Sequence, residues 1–118
     1  MLFVFAVYPK FVADRLTANG DYFYELYQSK NKQNVYGEQA TYFYSRALEI
    51  HSNDNDLLLR RGQIYYRQNR VQSALDDFRI LLDDPVYQTK LKEFADIYSK
   101  EGQPVLAIYS LLKHNKKL

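Results

Sequence analysis

The chain has 118 residues, 47% hydrophobic and 25% charged, a mix that suits one folded globular domain and excludes a disordered segment. With 16 basic residues against 14 acidic ones the net charge is +2, too little for nucleic-acid binding driven by bulk electrostatics. The absence of cysteine excludes disulfides, zinc–thiolate sites and thiol catalysis, but leaves the compartment open between cytoplasmic and membrane-tethered.

Residues 1–9 begin with an almost wholly apolar run, Met1 to Tyr8. It is too short to span a bilayer, which takes about 20 residues. It also lacks the basic start and the cleavage site of a signal peptide. Three readings stand: an arm packed on this protein or a partner, the trailing end of a membrane anchor, or a short membrane-touching start. Residues 10–118 read as one helical domain. Pro9 suits a first helical turn, where its missing N–H costs nothing. Phe11, Leu16, Phe23, Tyr24 and Tyr27 follow at loose helical spacing. Gly20 within Asn19-Gly20-Asp21 is either a break between two short helices or a point of close approach inside one long helix. The polar run Ser29–Asn34 reads as a helix end and a loop.

Tyr36, Ala40, Phe43, Tyr44, Ala47 and Leu48 fall on one helical face. His51–Asp56 then ends that helix, with Asp54 or Asn55 placed to cap the next. Leu58, Gly62 and Tyr65 form the stripe of a third helix, Asn69-Arg70 the turn, and Val71, Ala74, Leu75, Phe78, Leu81 and Leu82 the returning stripe. Asp84-Pro85 is a start signal for another helix, and Gly102-Gln103-Pro104 marks a turn with Pro104 opening the last one. That last segment, Val105–Leu112, is apolar nearly all round. Twelve tyrosines and seven phenylalanines with no tryptophan suit half-buried positions between stacked helices.

A period runs through these elements. Ala40 and Ala74, Tyr44 and Phe78, Ala47 and Leu81, and Leu48 and Leu82 are each 34 residues apart. Leu58 and Leu91, Gly62 and Ala95, Tyr65 and Tyr98, Asn69 and Gly102, and Ala74 and Ala107 are 33 apart. Small residues at these intervals with an aromatic beside them resemble the tetratricopeptide repeat family over roughly residues 18–114. Departures exist: Leu58 and Leu91 stand where the family often has tryptophan, and Leu81 and His114 replace its usual alanine. The first helix of the first repeat fits only if Ala18–Phe23 carries its signature, which makes that helix about two turns longer than standard. The resemblance implies an all-α, right-handed α-solenoid of about three antiparallel helix pairs.

It also implies a non-catalytic scaffold that binds a protein or peptide in a concave groove lined by the first helix of each pair. The groove candidates are Leu59, Arg60, Gln63, Tyr66 and Arg67, then Lys92, Glu93, Asp96 and Lys100. Arg60 stands where the chaperone-tail subclass needs asparagine, which argues against that role. A second surface is the end of the stack, where Leu106, Ile108, Tyr109 and Leu112 would meet another subunit, a homo-oligomer or a larger assembly unless the chain covers them. Enzyme readings are poor. His51 and His114 have no adjacent nucleophile or ligand, and Asp76-Asp77 and Asp83-Asp84 diverge by about 100° on a helix. The scattered glycines make no phosphate loop, and no cofactor or metal is implied. Lys113, Lys116 and Lys117 read as a solvated tail.

Overall fold

The structure, a computed structural model, describes residues 9–115; the apolar start at 1–8, with the arm and anchor readings that rest on it, lies outside the described residues. Among the described residues all regular structure is helical: α1 (Pro9–Ser29), α2 (Asn34–Ile50), α3 (Asn55–Arg67), α4 (Val71–Leu81), α5 (Pro85–Lys100) and α6 (Leu106–Asn115). None of these helices is long and apolar enough to cross a membrane. The chain divides into two compact units, residues 1–57 and 58–118, so that the division falls one turn inside α3.

The first unit is a helical hairpin. Its buried residues Ala13, Gly20 and Tyr27 repeat every seven residues along α1, and Gly37, Ala40, Thr41, Tyr44, Ala47 and Leu48 make the matching stripe of α2. Gly20 does not break α1. It lies in the middle of a 21-residue helix, and a Cβ added there would stand 2.6 Å from the Tyr44 ring. A glycine is weak inside a helix by about 1 kcal/mol relative to alanine, so it is the close approach of α2 that requires it. The Tyr44 hydroxyl, deep in the hairpin, donates to Asp21 Oδ1 at 2.6 Å, and the Thr41 hydroxyl donates to the Glu38 carbonyl at 3.1 Å. Both polar groups are therefore buried with partners.

The second unit repeats the crossing. Gly62 on α3 faces Phe78 on α4, where an added Cβ would lie 2.5 Å from the ring. Phe78, Phe94, Tyr66 and Tyr98 form one aromatic cluster, with ring centroids 5.5–6.5 Å apart. Leu58, Ile64, Ala74, Leu81, Leu91, Ala95, Val105 and Ile108 complete the core. Asp84 caps α5 by accepting from the Val86 N–H at 3.0 Å, with Pro85 at the first helical position. Asp54 likewise accepts from the Leu57 N–H at the start of α3.

The helices α1, α3 and α5 share a closing hydrogen bond, with α1 adding a second left-handed residue, Lys32 at φ 58°. The N–H of Lys32, Arg70 and Gln103 reaches back to the carbonyl of Tyr27, Tyr65 and Tyr98 respectively. The residue before each donor is left-handed: Asn31 at φ 59°, Asn69 at φ 65° and Gly102 at φ 83°. This six-to-one closure satisfies orphan carbonyls and favours asparagine or glycine at the left-handed position. It also explains why the first helix resists alignment. Measured from turn to turn, Asn31 and Asn69 are 38 residues apart, whereas Gly20 and Gly62 are 42 apart and Ala40 and Ala74 34. The first hairpin therefore carries about one extra turn in each of its helices, not two in the first. Pro104 also departs from expectation. α6 begins at Leu106, and Pro104 lies in the turn, where its carbonyl accepts from the Tyr66 hydroxyl at 3.0 Å.

Candidate functional site

Two open clefts flank α6 in the second unit. The first, of about 310 Å³, is lined by Gln88, Thr89 and Lys92 from α5 and by Tyr109, Leu112 and Lys113 from α6. The second, of about 330 Å³, is lined by Tyr66, Arg67, Asn69, Val71, Tyr98, Gln103, Pro104, Leu106 and Ala107. Some residues expected in the groove and some expected at the end of the stack therefore line the same clefts. Lys92 joins Tyr109 and Leu112 in the first cleft, and Tyr66 and Arg67 join Leu106 in the second.

The other expected residues are distributed differently. Leu59, Arg60 and Gln63 are half-buried on α3 and line neither cleft. Glu93 and Lys100 are exposed on α5, also outside both. Ile108 and Leu112 are buried, which leaves Leu106, 77% exposed, as the large apolar side chain that α6 offers to solvent. Helical spacing could have found Gln88 and Thr89, one turn before Lys92, and Lys113, one turn after Tyr109. The walls of the second cleft come from two turns and from four helices, α3 to α6, and no local pattern marks them.

The second cleft has a rigid wall. The Arg67 guanidinium lies 4.6 Å from the Tyr98 ring centroid and 5.5 Å from that of Phe94, and its Nη1 bonds Glu101 Oε1 at 3.2 Å. Arg67 is thereby a structural strut. Burial pushes the Tyr66 hydroxyl above the usual phenol range, with the neighbouring Tyr98 adding to the shift.

Beside the first cleft, Asp96 ties together two of its lining residues, Lys92 and Tyr109. Its Oδ1 accepts from the Tyr109 hydroxyl and its Oδ2 from Lys92 Nζ at 2.9 Å. The Tyr109 hydrogen bond, then that of Lys92, holds the Asp96 carboxyl below its ordinary range. The same bond raises Tyr109 above the usual phenol range. The signs oppose each other in pH. The Asp96 contribution is present above its ordinary value and fades as pH falls through the lowered one. The Tyr109 contribution is present below the ordinary phenol value and fades as pH rises through the raised one. Tyr109→Phe should therefore lose stability by an amount that is constant in the neutral range and shrinks at both extremes. Urea titrations of both proteins across pH would check this; a difference that is flat into strong acid and alkali would refute the bond's role.

Among the described residues no cluster of three or more His, Cys, Asp or Glu side chains is arranged to hold a metal ion. No protein family, no curated protein and no solved structure matches the chain.

Proposed function

We propose that the chain is a non-catalytic protein–protein interaction scaffold of tetratricopeptide type, a right-handed helical stack that holds a partner peptide or subunit along the helices opening each pair. The observation that carries this reading is the preformed character of the clefts beside α6. Arg67 is held by Glu101 and two rings, and Lys92 and Tyr109 are held by Asp96. Walls fixed before binding lose little freedom when a partner arrives, so a small cleft can contribute to affinity. The shared crossing of a glycine with an aromatic ring, and the shared closure of α1, α3 and α5, support the repeat reading.

Arg67→Glu is a poor probe, because it removes a strut. Leu106→Glu and Lys100→Glu alter exposed side chains instead. In affinity capture with the full chain, Leu106→Glu should reduce recovery of a specific partner at least about tenfold, as expected of a central apolar anchor. Circular dichroism should be unchanged. If both variants recover everything the wild type does, the groove reading fails. The exposure of Leu106 also favours a second reading, a structural subunit or homodimer that associates through α6. A mass by light scattering that doubles with concentration, and no longer does so in Leu106→Glu, would select it.

A further inference from the structure

We infer that the cleft between α5 and α6 takes an acidic peptide segment with an apolar side chain next to its carboxylates. The inference rests on the interaction-scaffold reading and names the partner class for one of its sites. The cleft is lined by two lysines, Lys92 and Lys113, and by no carboxylate. Asp96 stands one turn from Lys92, but both of its oxygens are engaged by the Tyr109 hydroxyl and the Lys92 ammonium. Its charge is offset at the surface by Lys92, both side chains being partly exposed, and the charged groups of the cleft lining itself are ammonium.

The remaining polar side chains of the lining are each bonded to a backbone carbonyl. Gln88 Nε2 donates to the Leu82 carbonyl, and the Thr89 hydroxyl donates to the Pro85 carbonyl at 3.2 Å. The charged groups left to bind a guest are ammonium. Lys92 has three donors and spends one on Asp96, and among the described residues Lys113 makes no ion pair. Leu112 and the Tyr109 ring supply an apolar wall.

Size narrows the guest further. At about 310 Å³ the cleft is at the lower end of ligand sites, which run from about 300 to 1,000 Å³. It has room for one or two side chains of a peptide laid across it. The ammonium groups select a carboxylate, and the wall selects a leucine, isoleucine or phenylalanine beside it. Charge complementarity of this kind contributes mainly to specificity and to the rate of association.

The test is an array of capped hexapeptides in which one apolar residue is followed by one to three glutamates, each with its glutamine counterpart, titrated into the full chain by NMR. Binding of the glutamate peptides should shift the amides of Gln88, Thr89 and Lys113. Lys113→Glu should weaken it by about two- to fivefold, the range of a partly exposed ion pair. Thr89→Trp, which fills the cleft from an exposed position, should abolish it. Equal binding by the glutamine peptides, shifts confined to Tyr66, Arg67 and Leu106, or no binding by any glutamate peptide would overturn the inference. If affinity capture still recovers a partner in a Leu106-dependent way, the scaffold reading stands without it.

Discussion

Gly62→Ala is expected to destabilise the protein by about 1–2 kcal/mol, although alanine is the better helix former by about 1 kcal/mol. The added Cβ would lie 2.5 Å from Phe78 Cε1 and 2.9 Å from Cδ1. Phe78 is fully buried, so the ring has nowhere to retreat. Either α3 and α4 separate, which opens the aromatic cluster, or the ring leaves its rotamer. Forced overpacking costs about 1–3 kcal/mol for one methyl group and more for a larger side chain. Gly62→Leu should therefore exceed about 3 kcal/mol. Phe78→Leu shortens the group that blocks the methyl, and its own cost should not add to that of Gly62→Ala. A double-mutant cycle by urea unfolding would show a coupling of at least about 1 kcal/mol in the direction of rescue. If Gly62→Ala proves neutral or stabilising, the helices do not depend on this contact.

The second large effect concerns a buried ion pair on the neighbouring residues. Arg61 Nε donates to Asp77 Oδ2 at 2.9 Å and Nη2 to Oδ1 at 2.7 Å, a two-pronged contact. This bond, more than any other influence, raises the already high pKa of Arg61. The side chain of Asp77 is only 5% exposed and that of Arg61 20%. The two partners should therefore respond unequally to loss of the other. Arg61→Ala leaves a carboxylate stranded in the interior and should cost about 3–5 kcal/mol. Asp77→Ala leaves a guanidinium that can turn toward solvent or the Tyr65 ring, 5.6 Å away, and should cost clearly less. Replacing both, as Arg61→Met with Asp77→Leu, should recover most of the loss, because an apolar pair has no desolvation penalty. Equal costs for the two single changes would contradict the asymmetry of burial.

Much of the helical plan was legible before the structure. The stripes of α2 and α4, the Asp84-Pro85 start and the turns at Asn69 and Gly102 are local chemistry, written in adjacent residues, whereas in α1 only Tyr27 of the expected spacing lies on the buried stripe and Phe11 is exposed. Gly20 was readable in two ways, because a sequence does not say whether another helix comes near. The Arg61–Asp77 pair went unseen for the same reason, yet a rule could have found it. If Gly62 meets Phe78, the residue before each must also meet across the crossing, and those residues carry opposite charge. Two of the residues chosen because they faced away from the crossing stripe have packing roles, Arg67 as a strut and Tyr66 as core, since the stripe predicts one neighbour and these helices have more than one. Ile108 and Leu112 are covered by their own unit, and that coverage comes from packing across helices which no single stretch encodes.

The glycine crossings also govern which alignments of the helices are open to the chain at all. Along α1, Gly20 is the one residue without a Cβ, and along α3 it is Gly62. Sliding α1 past α2 by one turn would bring Leu16 or Tyr24 against the Tyr44 ring in place of Gly20. Sliding α3 by a turn would bring Leu58 or Tyr66 against Phe78. Apolar stripes alone tolerate such slips, because every turn offers another greasy surface. A single notch matched to a single ring does not. Each hairpin is thus a ratchet with one seat, and its misaligned forms are disfavoured because a Cβ and a ring would have to share the same space.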